Sequence, residues 1–337
     1  MSATEFDLYE RPPRPSLQTW LKHFAFLLVT LVTATIAGVL YPFGKTDILP
    51  TADPQTWEET ARFIATIPER YAAFVIEVLY NLATKPDYLI YGLSFSLSLL
   101  FILISHEMGH YIACRIYRVD ATLPYFIPTP PMVGPAGTFG AFIKIRSPMP
   151  SRKAVFDIGV AGPIAGFIAL IPIAIIGVAT MQMVPPEQVL HLQSQIVFSD
   201  PLMMKAIAYF FALDLQFGIG NPFYFAAWVG LLVTALNLIP SGQLDGGHAI
   251  YAVLGKRIHY WTGRIAFVTM AALSILGWIY YNSPSGFLIA VLLGVMMRIP
   301  HPEPWDQTPL DLKRKIIAFA TLMIFVLCFL PFPIQIS

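Results

Sequence analysis

Charged residues are scarce in this chain, making up only 12% of its 337 residues. A soluble domain usually carries about twice that fraction, so this scarcity excludes an ordinary water-soluble domain. The formal net charge of +1 supplies no field that would attract nucleic acid, and no nucleic-acid partner is expected. Only two cysteines are present, Cys114 and Cys328, and both lie in apolar runs, which excludes a disulfide framework.

A secretory signal pattern is also missing near the N-terminus, where polar, proline-rich sequence precedes the first apolar run. A signal peptide would place a short basic region directly before a short apolar stretch and a small-residue cleavage site. What the chain has in abundance is apolar sequence, with 56% hydrophobic residues and a mean hydropathy of +0.64. This composition predicts a multi-pass membrane protein.

The apolar runs are long enough to cross a bilayer, whose core of about 30 Å requires about 20 helical residues. We therefore predict an all-α polytopic membrane protein with about six to seven transmembrane helices. The candidate spans are residues 24–41, 88–116, 154–184, 222–254, 261–281 and 316–332, with a short additional candidate at 286–297.

Residues 120–147 break this helical pattern. Their prolines and glycines forbid a long helix, whereas Phe139, Phe142 and Ile143 favour extended structure. Irregular backbone at membrane depth survives only where protein or a water-filled cavity satisfies its polar groups. The segment is therefore predicted to form a small re-entrant or interfacial β-loop beside a cavity.

Basic residues orient the predicted spans. They cluster before the first span, between the second and third, after the fourth and before the last. Because such clusters stay cytosolic, we expect an integral protein of the cell (plasma) membrane, with a cytosolic N-terminus and the active site toward the cytosolic side. The chain then divides into a cytosolic N-terminal tail (1–23), a first transmembrane helix (24–41), a non-cytosolic amphipathic segment (42–87), a catalytic membrane core (88–255) and C-terminal transmembrane helices (256–337).

Three ionisable side chains interrupt the second span within the sequence HEMGH: His106, Glu107 and His110. Helical positions i and i+4 lie on one face, so both imidazoles can reach one metal ion, and Glu107 can reach a water molecule at that ion. The alternative is a pair of histidines that bond across helices. Because ionisable groups inside a membrane are costly and usually functional, the spacing favours a metal site.

A catalytic zinc site needs a third protein ligand and an open position. The candidate ligand is Asp245 in ALNLIPSGQLDGGH, residues 235–248, where Pro240 and three glycines interrupt an apolar helix. Both spans run in the same direction, which brings Asp245 to a depth similar to that of the histidines. A capping or interhelical bond is the alternative role for Asp245. His248 is a rival ligand, expected to make a supporting bond or to lie at the interface.

The two motifs together resemble the site-2 protease family of intramembrane zinc metalloproteases, over roughly residues 88–255. The resemblance rests on HEMGH and on N-x-x-P-x-x-x-x-D-G, here Asn237, Pro240, Asp245 and Gly246. It implies one catalytic Zn²⁺ ion bound by His106, His110 and Asp245, with Glu107 as the catalytic base. Only about 40 residues separate the third and fourth spans, so the resemblance is to a compact type without a PDZ insert.

Two further segments look like motifs of that family, GTFG at 137–140 and AGPIAG at 161–166. The small residues of AGPIAG are expected to let the zinc-binding helix approach closely. The GTFG loop could offer a strand edge to an unwound substrate through Gly137, Phe139 and Gly140, or it could be a structural plug. Asn237 is expected to form a hydrogen bond with the substrate backbone or the oxyanion. An equally good alternative is that it holds the broken helix together.

The predicted function is hydrolysis of peptide bonds within or near transmembrane segments, that is, regulated intramembrane proteolysis. The partners are a transmembrane protein substrate and the lipid bilayer, and no oligomeric state is predicted. A zinc protease acting on prenylated or cytosol-facing tails would need a downstream glutamate ligand, for which no well-placed candidate is seen. A membrane metal transporter or sensor would use the same site but would leave Glu107 without a role.

Overall fold

The structure is a computed structural model that describes residues 12–40, 42–44, 56–130, 135–185, 187 and 196–336. Ten α-helices of at least nine residues lie within these ranges. They are α1 (Leu17–Val39), α2 (Trp57–Thr84), α3 (Pro86–Ile116), α4 (Arg152–Ala179), α5 (Leu202–Phe210), α6 (Pro222–Leu238), α7 (Asp245–Leu254), α8 (Lys256–Tyr281), α9 (Ser285–Met296) and α10 (Leu312–Cys328).

The described strands are short and pair only as antiparallel two-stranded sheets. Strands β1 (Tyr125–Pro128) and β2 (Thr138–Phe142) form the hairpin expected within 120–147. The remaining strands are β3 (Gln182–Met183), β4 (Ile196–Phe198), β5 (Gly218–Ile219) and β6 (Ile334–Ile336), with β3 paired to β5 and β4 paired to β6. The predicted all-α architecture with a small β-loop is confirmed.

Four of the described helices, α1, α3, α4 and α8, are long and apolar enough to cross a membrane, and α6 and α9 are shorter apolar helices. A polytopic membrane protein is thus confirmed. Helix α9 has 12 residues and is about 18 Å long, less than the membrane core of about 30 Å. The first helix begins at Leu17, before the predicted 24, because the Ser16 hydroxyl caps the backbone N–H of Thr19 at 3.2 Å.

The predicted span 222–254 is two helices, α6 and α7, separated by residues 239–244. Pro240 in this break has no backbone N–H to continue the helix, and Gly242 adopts a φ of +56°. A Cβ atom on Gly246 would lie 2.0 Å from the Leu238 carbonyl oxygen. Glycine at this position therefore lets α7 start against the end of α6.

Helices α3, α4 and α6 form the centre of the molecule. Their facing side chains are almost fully buried, among them Phe95, Leu99, Leu170, Trp228 and Leu231. Burial of such side chains stabilises a soluble fold through the hydrophobic effect, but helices in lipid depend more on close packing. This tight centre gives the site a rigid support.

Contacts define two opposite ends of the helix bundle. At one end, which we call the basic end, Arg115 donates to the Pro13 carbonyl at 3.1 Å, and the N–H of Arg152 donates to the Asp306 carbonyl at 2.9 Å. At the opposite end, β4 pairs with β6, and the Tyr91 hydroxyl donates to the Phe43 carbonyl at 2.9 Å. Helices α3 and α4 connect the two ends.

The predicted segment 42–87 contains α2, whose N-terminus carries a capping box formed by Thr56 and Glu59. Phe74 and Val78 of α2 pack against α1 at the opposite end of the bundle. The side of the membrane on which this segment lies stays a prediction. Residues 45–55 of it, and residues 1–11 of the predicted N-terminal tail, lie outside the described residues.

Candidate metal centre

Helix α3 carries the HEMGH sequence on its inward-facing side. His106, Glu107 and His110 are only 4%, 5% and 7% exposed. Hydrophobic residues make up most of the same helix, so burial of these three polar groups requires partners from other elements. Those partners come from α4, α6, α7 and the hairpin.

The ligand atoms of three side chains form a nearly equilateral triangle. The Asp245 Oδ2 atom lies 3.2 Å from His106 Nε2 and 3.3 Å from His110 Nε2, and the two Nε2 atoms are 3.2 Å apart. Tetrahedral zinc with bonds of about 2.0–2.1 Å places its ligand atoms about 3.3 Å from one another. The triangle therefore has the dimensions of a site for a single zinc ion. The ligand types, two histidines and an aspartate, also suit zinc.

The imidazole of His110 is held in the tautomer that a metal requires. Its Nδ1 lies 2.7 Å from the carbonyl oxygen of Ile158 on α4. A carbonyl can only accept, so Nδ1 carries a proton, and in the neutral ring Nε2 has the free lone pair that a metal ion would bind. Such a hydrogen bond on the far side of a ligating imidazole is typical of metal sites.

Small residues on α4 make room for the two histidines. A Cβ atom on Gly162 would lie 2.1 Å from His110 Nε2, and one on Gly166 would lie 3.1 Å from His106 Cβ. The approach is reciprocal, because a Cβ on Gly109 would lie 2.4 Å from the Ala161 carbonyl oxygen. The prediction that AGPIAG packs against the HEMGH helix is confirmed.

Helix α7 presents Asp245 in its first turn, directly after the break. Gly247 supports this arrangement, because a Cβ there would lie 2.4 Å from the Gly242 carbonyl oxygen. Helix α7 also packs close to α4, where a Cβ on Gly159 would lie 2.8 Å from His248 Cβ. His248 is not part of the triangle, since its Nδ1 lies 2.7 Å from His301 Nε2.

Asn237 and Glu107 flank the triangle. The Asn237 Nδ2 atom lies 3.2 Å from His106 Nε2, at the end of α6. The backbone N–H of Ile143, just after β2, lies close to the Glu107 carboxylate. A carboxylate next to, but outside, a metal-ligand set is the arrangement of a general base.

Two cavities meet at these side chains. One has a volume of about 600 Å³ and is mostly apolar, with Leu99, Phe139 and Trp228 among its lining residues. The other has about 610 Å³ and is more polar, with Lys144, Ser147, Asp245 and His248 in its lining. Both cavities are lined by His106, Glu107, Ala141, Asn237 and Leu244. The candidate site thus joins an apolar space to a polar one.

The GTFG residues have different surroundings. Phe139 is 61% exposed and lines the apolar cavity together with Gly140. Gly140 has a φ of +93°, and nothing lies within 4 Å of an added Cβ. Gly137 instead packs against α1, where its carbonyl accepts from the Thr33 hydroxyl at 2.7 Å. Phe139 and Gly140 therefore border open space, whereas Gly137 anchors the hairpin.

Sequence reasoning did not identify two contributors to the site. The Ile158 carbonyl holds His110, but a backbone group gives no signal in the residue types. His301 contacts His248 from the connector between α9 and α10. Its one sequence signal is a histidine in a polar loop, which alone indicates no site.

The fold and the triangle together define a helical membrane protein in which two buried histidines and a partly buried aspartate could hold a metal ion beside a glutamate. The model of peptidase family M50 matches residues 94–277, which include both motifs. The chain belongs to that family, and the resemblance to the site-2 protease family noted above is confirmed.

Curated proteins that are similar to this chain are described as probable zinc metalloproteases. The chain is 30% identical over 263 residues to "Probable zinc metalloprotease EGY1, chloroplastic" of Arabidopsis thaliana, covering 76% of this chain and 45% of that protein. It is 28% identical over 248 residues to "Probable zinc metalloprotease EGY2, chloroplastic" of the same plant, covering 72% and 42%. A rice EGY2 of Oryza sativa subsp. indica is 28% identical over 236 residues, covering 61% and 42%. The chain thus spans less than half the length of these relatives.

Proposed function

We propose that this protein is an intramembrane zinc metalloprotease that hydrolyses peptide bonds within or near transmembrane segments of other membrane proteins. The observation that carries the proposal is the ligand triangle of His106, His110 and Asp245 with Glu107 beside it. Membership of peptidase family M50 supports the reaction class. The zinc metalloprotease descriptions of the relatives support the choice of zinc.

The chain's own residues supply the rest of the chemistry. A bound zinc ion would act as a Lewis acid that polarises the scissile carbonyl and acidifies water. Glu107 takes a proton from the attacking water and delivers it to the leaving amine. In this proposal Asn237, whose amide nitrogen lies 3.2 Å from His106 Nε2, binds the substrate carbonyl or the oxyanion.

The hairpin is proposed to hold the substrate as an added strand. Strand β2 pairs with β1 along one edge, and its Thr138–Phe142 stretch borders the apolar cavity with Phe139, Gly140 and Ala141. A substrate helix hides its carbonyls in its own hydrogen bonds, so it must unwind before cleavage. A strand edge can then bind the unwound main chain without requiring a particular sequence.

The orientation of the chain follows from its charges. We propose that the basic end faces the cytosol, because Arg115, Arg152, Lys256 and Arg314 lie at helix ends there. The polar cavity next to the metal centre then opens toward the same side, and the N-terminus is cytosolic. Location in the cell (plasma) membrane stays part of the proposal; the descriptions of the relatives place those proteins in chloroplasts.

A metal transporter or sensor is the alternative, and the structure favours it less. Within the described ranges, the triangle is the one group of three His, Cys, Asp or Glu side chains disposed to hold a metal ion. A transport path would need successive sites along the bundle. Glu107, buried beside the triangle, would also have no role in such a protein.

The proposal is tested by replacing Glu107 with glutamine and Asp245 with alanine. We expect Glu107→Gln to keep full zinc content while cleavage of a single-span model substrate falls by about 10²–10⁴-fold, since general base catalysis is lost. Asp245→Ala should lose both zinc and cleavage. The measurements are zinc by mass spectrometry and cleavage in proteoliposomes. Cleavage at the wild-type rate by Glu107→Gln would refute the protease proposal.

A further inference from the structure

A second polar cluster lies beside the metal centre and has no role in the mechanism above. His248 of α7 lies 2.7 Å (Nδ1 to Nε2) from His301 in the connector between α9 and α10. The His301 ring stacks on Tyr251, with centroids 4.1 Å apart and 9° between the planes. His248 also lines the polar cavity together with Glu107 and Asp245. The connector therefore fixes a histidine that faces the reaction space.

Hydrogen-bond partners determine which ring nitrogens carry protons. His301 Nδ1 lies 2.8 Å from the Pro302 carbonyl oxygen, which can only accept, so this nitrogen is protonated. Burial, with the neighbouring imidazoles of His248 and His259, lowers the pKa of His301 to about 3, and the ring is neutral at pH 7. Its Nε2 is then an acceptor. His248 must donate to it from Nδ1, which leaves the Nε2 of His248 unprotonated.

His248 lines the polar cavity and its Nδ1 faces His301, so Nε2 is the ring nitrogen left to interact there. His248 is half-buried, and its Nε2 is not among the fully buried atoms that lack a partner in the described part of the chain. An unprotonated nitrogen cannot stabilise an oxyanion, which requires a donor. It can accept a hydrogen bond from an N–H group. In peptide hydrolysis the leaving nitrogen carries such a group.

We propose that His248 accepts a hydrogen bond from the leaving nitrogen of the substrate, and that His301 is a positioning residue that holds His248 in the accepting tautomer. This inference rests on the proposed protease function. With its N–H directed at His248, the leaving nitrogen points its developing lone pair elsewhere, toward the proton that Glu107 delivers. Glu107 remains the group that transfers protons, and His248 orients the nitrogen that receives one.

The test compares kcat and KM of the full-length protein on a single-span model substrate. His248→Phe keeps a ring of similar size, and we expect kcat to fall about tenfold with KM unchanged, as for loss of one hydrogen bond in the transition state. His301→Phe keeps the ring against Tyr251 but removes the acceptor, so kcat should fall comparably. His301→Gln restores an acceptor oxygen and should recover most of the rate.

A double variant separates this role from packing. Because His301 acts through His248, adding His301→Phe to His248→Phe should cause no further loss. Glu303→Gln is the control, since it removes an exposed ion pair with Lys256 from the same connector and should leave kcat unchanged. Zinc content should match the wild type in every variant. The ¹⁵N spectrum of labelled histidines should show an Nδ1-protonated signal that His248→Phe removes and His301→Phe shifts.

Several results would overturn the proposal. They are wild-type kcat in His248→Phe, additive losses in the double variant, or equal impairment by His301→Gln and His301→Phe. Loss of zinc or of thermal stability in these variants would assign the cluster a structural role instead. The wild type and Glu107→Gln are run in the same assay. If the wild type cleaves the substrate and Glu107→Gln does not, the protease function is supported whatever the His248 and His301 variants show.

Discussion

At the scale of single residues, the candidate metal centre consists of three side chains with converging ligand atoms and one backbone carbonyl that orients an imidazole. The i and i+4 spacing placed His106 and His110 on one face, and the break in the later span pointed to Asp245. The structure brings these three ligand atoms within 3.2–3.3 Å of one another. The Ile158 carbonyl was not predictable, because every residue has a carbonyl and only tertiary packing selects this one.

A graded pair of glycine substitutions tests whether α4 shapes the metal centre. An added Cβ at Gly162 would lie 2.1 Å from His110 Nε2, whereas at Gly166 the nearest atom, His106 Cβ, is 3.1 Å away. Gly162→Ala must displace the ligand nitrogen, so we expect zinc affinity to fall about 10–100-fold. Gly166→Ala needs shifts of only a few tenths of an ångström and should change affinity much less. Competition with a fluorescent zinc chelator measures both, and equal affinities would contradict this account.

At the scale of elements, the sequence located most helices but not their ends. The apolar run 222–254 predicts one span, yet α6 ends at Leu238 and α7 starts at Asp245. Pro240 and the glycines indicated an interruption, but the length of the break depends on which carbonyls the glycines contact. A small β-loop was predicted in this region from its prolines, glycines and aromatic residues. Its pairing register, with Phe126 opposite Ala141, required the structure.

The role of the hairpin can be tested at Phe139, which lines the apolar cavity. Burial of a phenylalanine against substrate contributes about 1.5–3 kcal/mol, so Phe139→Ala should lower kcat/KM about tenfold or more while zinc content stays unchanged. Phe319→Ala is a matched control, because Phe319 is 63% exposed compared with 61% for Phe139 but lies on α10, away from both cavities.

Gly140→Ala extends this test to the backbone of the hairpin. Its φ of +93° disfavours any side chain, although nothing lies within 4 Å of the added Cβ. We therefore expect reduced cleavage through distortion of β2, again with full zinc content. If Phe139→Ala and Gly140→Ala both cleave as the wild type does, the hairpin is a structural plug and does not bind substrate.

At the scale of the whole molecule, hydrogen bonds at the basic end join segments that are far apart in the sequence. Arg314 of α10 donates from Nε and Nη2 to both carboxylate oxygens of Asp157 on α4, at 2.9 and 2.6 Å. Arg314 also donates to the Tyr117 hydroxyl at 3.1 Å. The positions of the basic residues relative to the spans predicted that they gather on one side. They could not reveal this pairing, because residues 157 and 314 are brought together only by the fold.

The two described ends of the chain lie at opposite ends of the bundle. Pro13 contacts Arg115 at the basic end, while Gln335 of β6 pairs with Val197 at the other. A chain that starts on one side and finishes on the other crosses the membrane an odd number of times. With the basic end cytosolic, we expect an N-terminal tag to be cytosolic and a C-terminal tag to be on the far side.

Tag accessibility in sealed vesicles of known orientation measures this arrangement. In right-side-out vesicles an added protease should remove the C-terminal tag and spare the N-terminal one, and inside-out vesicles should give the reverse. A cysteine placed at Gln335 and labelled with an impermeant maleimide gives an independent reading of the far side, since Cys114 and Cys328 are both buried. Protection of both tags in the same vesicles would mean an even number of crossings. In that case α9, only 12 residues long, would be the first helix to reassign, because its length of about 18 Å is the least compatible with a full crossing.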